Sequence, residues 1–431
     1  MDAPAGGQQI IYVSDAVAWQ ECERKAWFAL HPPDGIPVEP DRFAELVKER
    51  GDEHERRALE ALGDYVQARS AAHTRQLIAE RVPVIYQPRF EDQAQGIVGI
   101  PDFLILTDDG YVVGDAKLSL RVGERSDRKG IRAQLATYRT LAHTRLPGRV
   151  YLGNGDVEEM TGEADADGQQ FITDMITLRD LEEEPDTQYS SSKCSACEYA
   201  QHCLPRFRRI EEPTLNHKIE KRARNHLIER GFDTLTKISQ QTPTTLPDVP
   251  YLNGAERKRA AILQARSLLH GEVHRLRGAT LPAGTYVHFD IESDPLASLG
   301  IAETYLWGFL LPGYSAHDFE YVWRDAGETD EACWKTVLEL LSGYRDRYPD
   351  IRLVHYSSYE RTEIKKNAKR YDDEDHPTVV WLLDEHGPLF DLLEFIRQNL
   401  ILPVRSYSLK AICKHPDLVN FQWDLEESGS Q

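Results

Sequence analysis

Residues 96–120 read GIVGIPDFLILTDDGYVVGDAKLSL, and the fold of the first part of the chain turns on them. The runs IVGIPDFLIL (97–106) and YVVGDAKLSL (111–120) are rich in Val, Ile, Leu, Phe and Tyr, and TDDG (107–110) between them is hairpin-turn chemistry. The spacing therefore predicts two antiparallel strands. Asp102 and the run Asp115-Ala116-Lys117 then sit on neighbouring strands. A pair of carboxylates can hold Mg²⁺ or Mn²⁺ by hard oxygen ligation, and a lysine beside them can orient water and balance charge developing on a phosphate. That combination suits phosphodiester hydrolysis.

Working outward, 431 residues exceed one ordinary core, so two or three domains are expected. No apolar run approaches the roughly 18 residues of a membrane span, and the start, MDAPAGGQQ, lacks the pattern of a signal peptide. The expectation is a cytoplasmic protein with no membrane partner. The six cysteines are Cys22, Cys194, Cys197, Cys203, Cys333 and Cys413, and without a secretion signal their clustering favours metal or cluster ligation over disulfides. The net charge of -20 argues against indiscriminate adhesion to nucleic acid. Locally this reverses: Arg206 to Arg277 holds 15 Lys or Arg against 8 Asp or Glu, a net charge of +7. Such an island is either a phosphate-backbone footprint or a solvated helical face.

Three regions follow along the chain. Residues 1–205 begin with the strand-like QIIYVSD, where Ser14 or Asp15 is placed to cap a helix AVAWQECERKAWFAL. A second helix, DRFAELVKERGDEHERRALEALG, carries Gly51 and His54, and after the hairpin KGIRAQLATYRTLAH puts Gln134 and Tyr138 four apart on one face. Helix, helix, strands and helix suggest an α/β core around a mixed sheet. Residues 206–278 read as helical, with a Leu-Asn-Gly turn entering the basic helix of VPYLNGAERKRAAILQARSLL, a helix-hairpin-helix-like arrangement. Residues 279–431 return to strands, GTYVHFDIESD, ETYLWGFLL and FEYVWRD, then alternate helix, strand and helix, which fits an RNase H-like α/β fold.

Each chemical residue also has a plain structural reading. His54 alone is the kind of residue found on a solvated helix face, and Asp102 and Asp115 can be turn residues flanking a hairpin. Cys194-x2-Cys197-x5-Cys203 with Cys22 makes four thiolates, suiting tetrahedral Zn²⁺ or a [4Fe-4S] cluster, and spacing does not choose between them. Cys333 and Cys413 fall on predicted helices as small hydrophobes. Asp290 and Glu292 alternate on one strand and point to one face, where both can hold one metal.

The ordered set GDEHE with His54, PDFLIL, DAK and QLATY, together with Cys22 and CSACEYAQHC, resembles the PD-(D/E)xK nucleases of the RecB family over about residues 10–205. The likeness is to its iron-sulfur branch, of the AddB and CRISPR-associated RecB-like exonuclease type. The resemblance implies a restriction-endonuclease-like core in which His54, Asp102, Asp115 and the Ala116 carbonyl bind Mg²⁺ or Mn²⁺ and Lys117 positions water. Gln134 and Tyr138 would support the site and contact DNA. It implies that Cys22, Cys194, Cys197 and Cys203 hold a [4Fe-4S] cluster, with zinc the alternative. The substrate would be DNA, as single strands or ends, in repair, recombination or defence.

The third region resembles the RNase H-like, DEDD exonuclease-like domain of YprB type that is often fused to such nucleases, through DIE with Asp290 and Glu292, HYSSYE with Glu360, FDLLEFI with Asp391, and SYSLK. Fusions of this kind tend to carry a helicase. The sequence departs from the pattern at its end: a late tyrosine-and-aspartate helix is expected, and the chain stops at DLEESGSQ, with Asp424, Glu426 and Glu427 as the last acids. The whole reads as an α/β multidomain, metal-dependent deoxyribonuclease with one complete site and an incomplete second one. Its rivals are a catalytically vestigial nucleic-acid-binding subunit working with a helicase, and an RNase using Asp290 and Glu292.

Overall fold

The computed structural model describes residues 9–33, 42–122, 128–160, 162–195, 197–276, 278, 280–298, 301–325 and 327–421. Contacts divide the chain into two units, one of Met1–Thr187 with Ala196–His202 and Leu296–Ile301, the other of Gln188–Ser195, Cys203–Pro295 and Ala302–Gln431. Among the described residues no helix is long and apolar enough to cross a membrane. The acids Asp424, Glu426 and Glu427 lie outside the described residues.

The first unit opens with β1 (Ile11–Tyr12), α1 (Ala16–Glu21), α2 (Glu23–Leu30) and α3 (Arg42–Leu62). The helix expected over 16–30 is broken: Cys22 is extended, with φ -163° and ψ 133°, and becomes the N-cap of α2. Asp15 makes no side-chain cap to α1; its carboxylate accepts a 3.2 Å hydrogen bond from the Tyr12 N–H and so closes the 3-10 turn Val13–Asp15 that precedes the helix. The unit continues through β2 (Val66–Gln67), α4 (Ala71–Ala79), β3 (Val84–Tyr86), β4 (Phe90–Asp92), β5 (Ile97–Gly99), β6 (Phe103–Thr107), β7 (Gly110–Lys117), α5 (Lys129–Leu141), β8 (Gly148–Leu152), β9 (Val157–Met160) and α6 (Asp165–Arg179).

Among the described residues, β2, β3, β6, β7, β8 and β9 form a sheet in that order. The hairpin is present as the sequence predicts, β6 and β7 pairing antiparallel from Phe103 opposite Gly114 to Thr107 opposite Gly110. Gly110 closes the turn at φ +128°, a conformation that strains residues with a Cβ. β8 runs parallel to β7, as a crossover through α5 requires. The two strands are apolar on both faces because both are covered. Phe103 and Ile105 pack with Ala58 and Leu59 of α3, whereas Leu104 and Val113 pack with Leu135 and Tyr138 of α5 and Phe171 of α6. α5 and α6 approach closely at Gly168, where a Cβ would stand 2.9 Å from that of Ala136.

The second unit holds α7 (Ser191–Cys194), most of α8 (Ala200–Arg209), α9 (Lys221–Glu229), α10 (Leu235–Ser239) and α11 (Ala255–His270), packed around Phe207, Leu227, Ile238 and Ile262. It continues with β10 (His274–Arg275), β11 (Thr285–Ser298), β12 (Ile301–Leu310), β13 (Phe319–Trp323), α12 (Asp330–Arg347), β14 (Ile351–His355), α13 (Tyr359–Arg370), α14 (Pro377–Leu383), β15 (Leu389–Asp391), α15 (Leu392–Asn399), β16 (Leu400–Ile401) and α16 (Leu409–Cys413). Its main sheet has the order β13-β12-β11-β14-β15, with β14 parallel to β11 and to β15. α12 buries Trp334, Val337 and Leu341 against Val287, Phe289 and Trp307 of this sheet, and Cys333 joins that core. The helices are tied to the chain beyond the sheet: β10 pairs with β16, and the Gln264 amide on α11 donates to the carbonyls of Leu402 (2.8 Å) and Val404 (3.3 Å).

Candidate active site

The hairpin brings its chemistry together. Asp115 and Lys117 alternate with Val113 along β7 and so share a sheet face. Asp115 is 2 % exposed, and its Oδ2 is ion-paired with the Lys117 ammonium. Asp102, just before β6, is tied across the hairpin: its Oδ2 accepts a 2.7 Å hydrogen bond from the Ala116 N–H. Burial pushes the Asp102 carboxyl well above the usual carboxylate range, and the charges of Asp115 and Glu55 push it further, against the opposing pull of Lys117 and of the Ala116 N–H. Lys117 moves up despite burial, because Asp115, Asp102 and Glu55 all favour its charged form. Two crowded carboxylates with one ammonium form a site with surplus negative charge, which is what a divalent cation relieves.

Glu55 was not singled out by sequence. It follows His54 on α3, and its carboxylate takes a hydrogen bond from Tyr86 and a 3.3 Å one from the Gln87 amide while acting on both Asp102 and Lys117. The signal was available: an acid adjacent to His54 on the same helix. His54 itself is buried, and its Nε2 lies 2.9 Å from the Tyr151 carbonyl, on the strand residue opposite Ala116. A ring nitrogen held by a carbonyl leaves the other as the free lone pair, the usual arrangement of a metal-binding histidine. Yet among the described residues no three His, Cys, Asp or Glu side chains converge closely enough to hold a metal ion. The expected three-residue set of His54, Asp102 and Asp115 is thus not assembled. The donor chemistry of Asp102 and Asp115 fits a divalent ion; His54 stands beside them, engaged by backbone.

Gln134 and Tyr138 meet as their spacing predicts, the Gln134 amide donating 3.0 Å to the Tyr138 hydroxyl. Both are buried, and burial, with the Asp115 charge adding to it, holds the Tyr138 phenol well above its ordinary range. They therefore back the site from within, and neither offers exposed surface for the DNA contact expected of this helix.

The four cysteines divide. Cys22 stands at the break before α2, and Lys25 of α2 bridges Glu21 (2.6 Å) and Glu198 (3.0 Å), which follows Cys197. Phe28 packs on Tyr199 and His202, and His202 meets Glu184 at 2.8 Å, so the Cys197 segment is docked on α2. Cys194 ends α7, where its sulfur accepts from the Ser190 N–H at 3.4 Å, and Cys203 lies on α8 against the helical core; both belong to the second unit. The expected group of four thiolates is not assembled among the described residues.

In the second unit Asp290 and Glu292 leave the same face of β11. Burial raises both carboxyls, the charge of Glu360 adds to the rise at Asp290, and that of Asp290 adds to the rise at Glu292, with Lys410 opposing it. Glu360 is 3 % exposed and lies 3.3 Å from His355 Nδ1. Asp391 sits opposite His355 on β15, and its carboxylate caps α15 by accepting from the Glu394 N–H at 3.0 Å. Asp391 is thereby engaged structurally, while Glu360 acts on Asp290 and Asp290 on Glu292 by charge, with no three acids converging closely enough among the described residues to hold a metal ion.

Comparison with known families agrees with this geometry in both halves. The model of the PD-(D/E)XK nuclease superfamily matches residues 13–204, and that of the RNase_H superfamily matches residues 287–431. No curated protein matches the chain. The chain therefore carries a PD-(D/E)XK nuclease domain built on the 96–120 hairpin and a C-terminal RNase H-like domain.

Proposed function

We propose that the chain is a divalent-metal-dependent deoxyribonuclease of RecB type, acting on single strands or ends in DNA repair, recombination or defence, with its main site at Asp102, Asp115 and Lys117. The observation that carries the reading is the hydrogen bond from Ala116 N–H to Asp102 Oδ2, which locks the carboxylate pair across the hairpin beside the half-buried Lys117. A bound Mg²⁺ or Mn²⁺ would supply Lewis-acid polarisation of the phosphate and a more acidic water. Asp102 and Asp115 would hold it, with His54 and the Ala116 carbonyl as further candidate donors. Lys117 orients the attacking water by hydrogen bonding and offsets charge on the phosphoryl oxygens. Glu55 raises the local negative charge and so strengthens the demand for a cation. Gln134 and Tyr138 fix the wall behind Asp115.

Cleavage of labelled single-stranded and duplex DNA with Mn²⁺, comparing the wild type with Asp115→Ala, tests this. Loss of cleavage in the variant is expected; equal activity overturns it. A [4Fe-4S] cluster on Cys22, Cys194, Cys197 and Cys203 is part of the same proposal, supported by the resemblance of this region to iron-sulfur RecB-like nucleases and by the docking of the Cys197 segment on α2. Visible absorbance that Cys197→Ser abolishes supports the cluster, and stoichiometric zinc without colour overturns it.

A second reading rests on the acidic set Asp290, Glu292 and Glu360, whose mutual charge repulsion resembles a metal site. It predicts RNA cleavage that Asp290→Ala abolishes and Asp115→Ala spares.

A further inference from the structure

The second unit contains a cavity of about 580 Å³ that none of the nuclease chemistry uses. Its walls come from four places in the sequence: His217 and Lys218 before α9, Tyr251 and the start of α11 with Arg257 and Arg259, Leu276 after β10, and Arg397 on α15. The helices are joined here to the chain beyond the sheet by the β10–β16 pair, and the walls belong to one unit. Lys218, Arg257, Arg259 and Arg397 bring four positive charges, against the carboxylates of Glu220 and Glu256 on the same lining. In a chain of net charge -20 this is a marked local reversal.

What distinguishes the cavity from a solvated basic face is the lack of compensation. Among the described residues Lys218, Arg259 and Arg397 make no ion pair within 4.0 Å, whereas the neighbouring Arg224 pairs with Glu212 and Lys258 with Asp248. Lys218 is partly buried, its ammonium 5.8 Å from the Tyr407 ring, and burial with the Arg397 charge holds it below the ordinary amine range. His217 is pushed down to about 3 by burial, then by Lys218 and Arg397, and both its ring nitrogens are buried without a hydrogen-bond partner. Such a neutral imidazole has one N–H to offer an anion. Repelling cations around an unsatisfied donor are stabilised by a bound anion.

The rim adds a recognition element. Tyr251 is 49 % exposed with φ +65°, held out by a turn in which Val249 and Leu252 bridge and the Asp248 carboxylate accepts from the Gly254 N–H. Arg222 steadies the ring, donating to its hydroxyl at 2.8 Å with its guanidinium carbon 5.7 Å from the ring centre. An exposed aromatic beside a line of cations is the composition of single-strand binding grooves, where rings stack on bases and cations follow phosphates.

We propose that this cavity is a binding site for single-stranded nucleic acid, with phosphates on Lys218, Arg257, Arg259 and Arg397 and a base stacked on Tyr251. The choice of a polynucleotide rests on the nuclease reading; the site itself does not depend on which acidic centre cleaves.

The test is fluorescence anisotropy of a labelled oligothymidylate with the full chain in EDTA, titrated over a range of KCl. Because nothing is cleaved in EDTA, failure of the nuclease reading and failure of this one are distinguishable. Each phosphate contact contributes a slope of about -0.7 in log K against log salt for single strands, so Lys218→Ala/Arg397→Ala should flatten the slope by about 1.4. Arg257→Ala/Arg259→Ala, on exposed positions, should do the same without touching the buried lining. Tyr251→Ala should weaken binding about tenfold at unchanged slope. Polyuridylate competing as well as oligothymidylate is consistent with the site, since neither contact reads the sugar. Wild-type slopes in both charge variants overturn the proposal. So does displacement of the oligonucleotide by polyglutamate as readily as by polyuridylate, which marks an acidic protein as the occupant.

Discussion

Asp102 Oδ2 accepts its 2.7 Å hydrogen bond from the N–H of Ala116, the residue between Asp115 and Lys117. One carboxylate is thereby fixed by the backbone of the strand that carries the other. Strand pairing thus becomes a statement about chemistry: any shift in the β6–β7 register moves Asp102 away from Asp115.

Asp115→Asn and Lys117→Ala should each lower Mn²⁺-dependent DNA cleavage by about 10²–10³-fold, the scale for removing one preorganised charged group. Oligonucleotide binding in EDTA should persist in both, which separates lost chemistry from lost fold. Cleavage within about twofold of wild type would remove these residues from the mechanism.

The metal-free protein should lose stability as pH rises. Asp102 is raised above the ordinary carboxyl value of 3.8, so the folded state binds its proton more tightly than the unfolded chain. The stabilising contribution is present at the acid end and lost as pH rises through the raised value. Thermal melting in EDTA should therefore fall across that window, and Asp102→Asn should flatten the dependence and raise the melting temperature at neutral pH. A pH-independent difference between the two proteins would count against this origin.

Glu55→Gln removes one of the charges that raise Asp102. If Glu55 acts by charge, the acid limb of Mn²⁺ binding should move to lower pH. Above that limb affinity should fall by no more than about 10–100-fold, the scale for groups outside the ligand set, and a larger loss in isothermal titration would instead make Glu55 a direct ligand.

Glu212 and Arg224 form a buried bidentate pair in the second unit, at 2.8 and 3.0 Å. Glu212 also accepts from the Thr214 hydroxyl. Glu212→Ala takes a buried bidentate carboxylate away from the guanidinium and should cost about 3–5 kcal/mol in denaturant unfolding. The far more exposed pair Lys237–Asp233, at 2.6 Å, should change stability by less than about 1 kcal/mol when Asp233 is replaced by Ala.

The hairpin was legible because its signals are local: apolar runs on both sides of Asp-Asp-Gly leave few alternatives, and strand alternation then places Asp115 and Lys117 on one face. Glu55 was less legible, since an acid on an acidic helix carries no mark of which strand it will meet. The break at Cys22 ran against local preference as well. AVAWQECERKAWFAL has helical composition throughout, and the extended Cys22 is set by packing around it, with Trp19 donating to Asp174 and Lys25 reaching Glu198.

Sequence alone determined the hairpin, the alternation that puts Asp115 and Lys117 on one face and the Gln134–Tyr138 spacing, because periodicity and turn chemistry act over a few neighbours. Only tertiary structure decided which charges meet. It buried Tyr138 behind Asp115, turned His54 to the Tyr151 carbonyl, used Asp391 as a helix cap, and gathered Lys218, Arg257 and Arg397 around one cavity. Electrostatic interaction depends on separation in space and on burial, and neither is a function of distance along the chain.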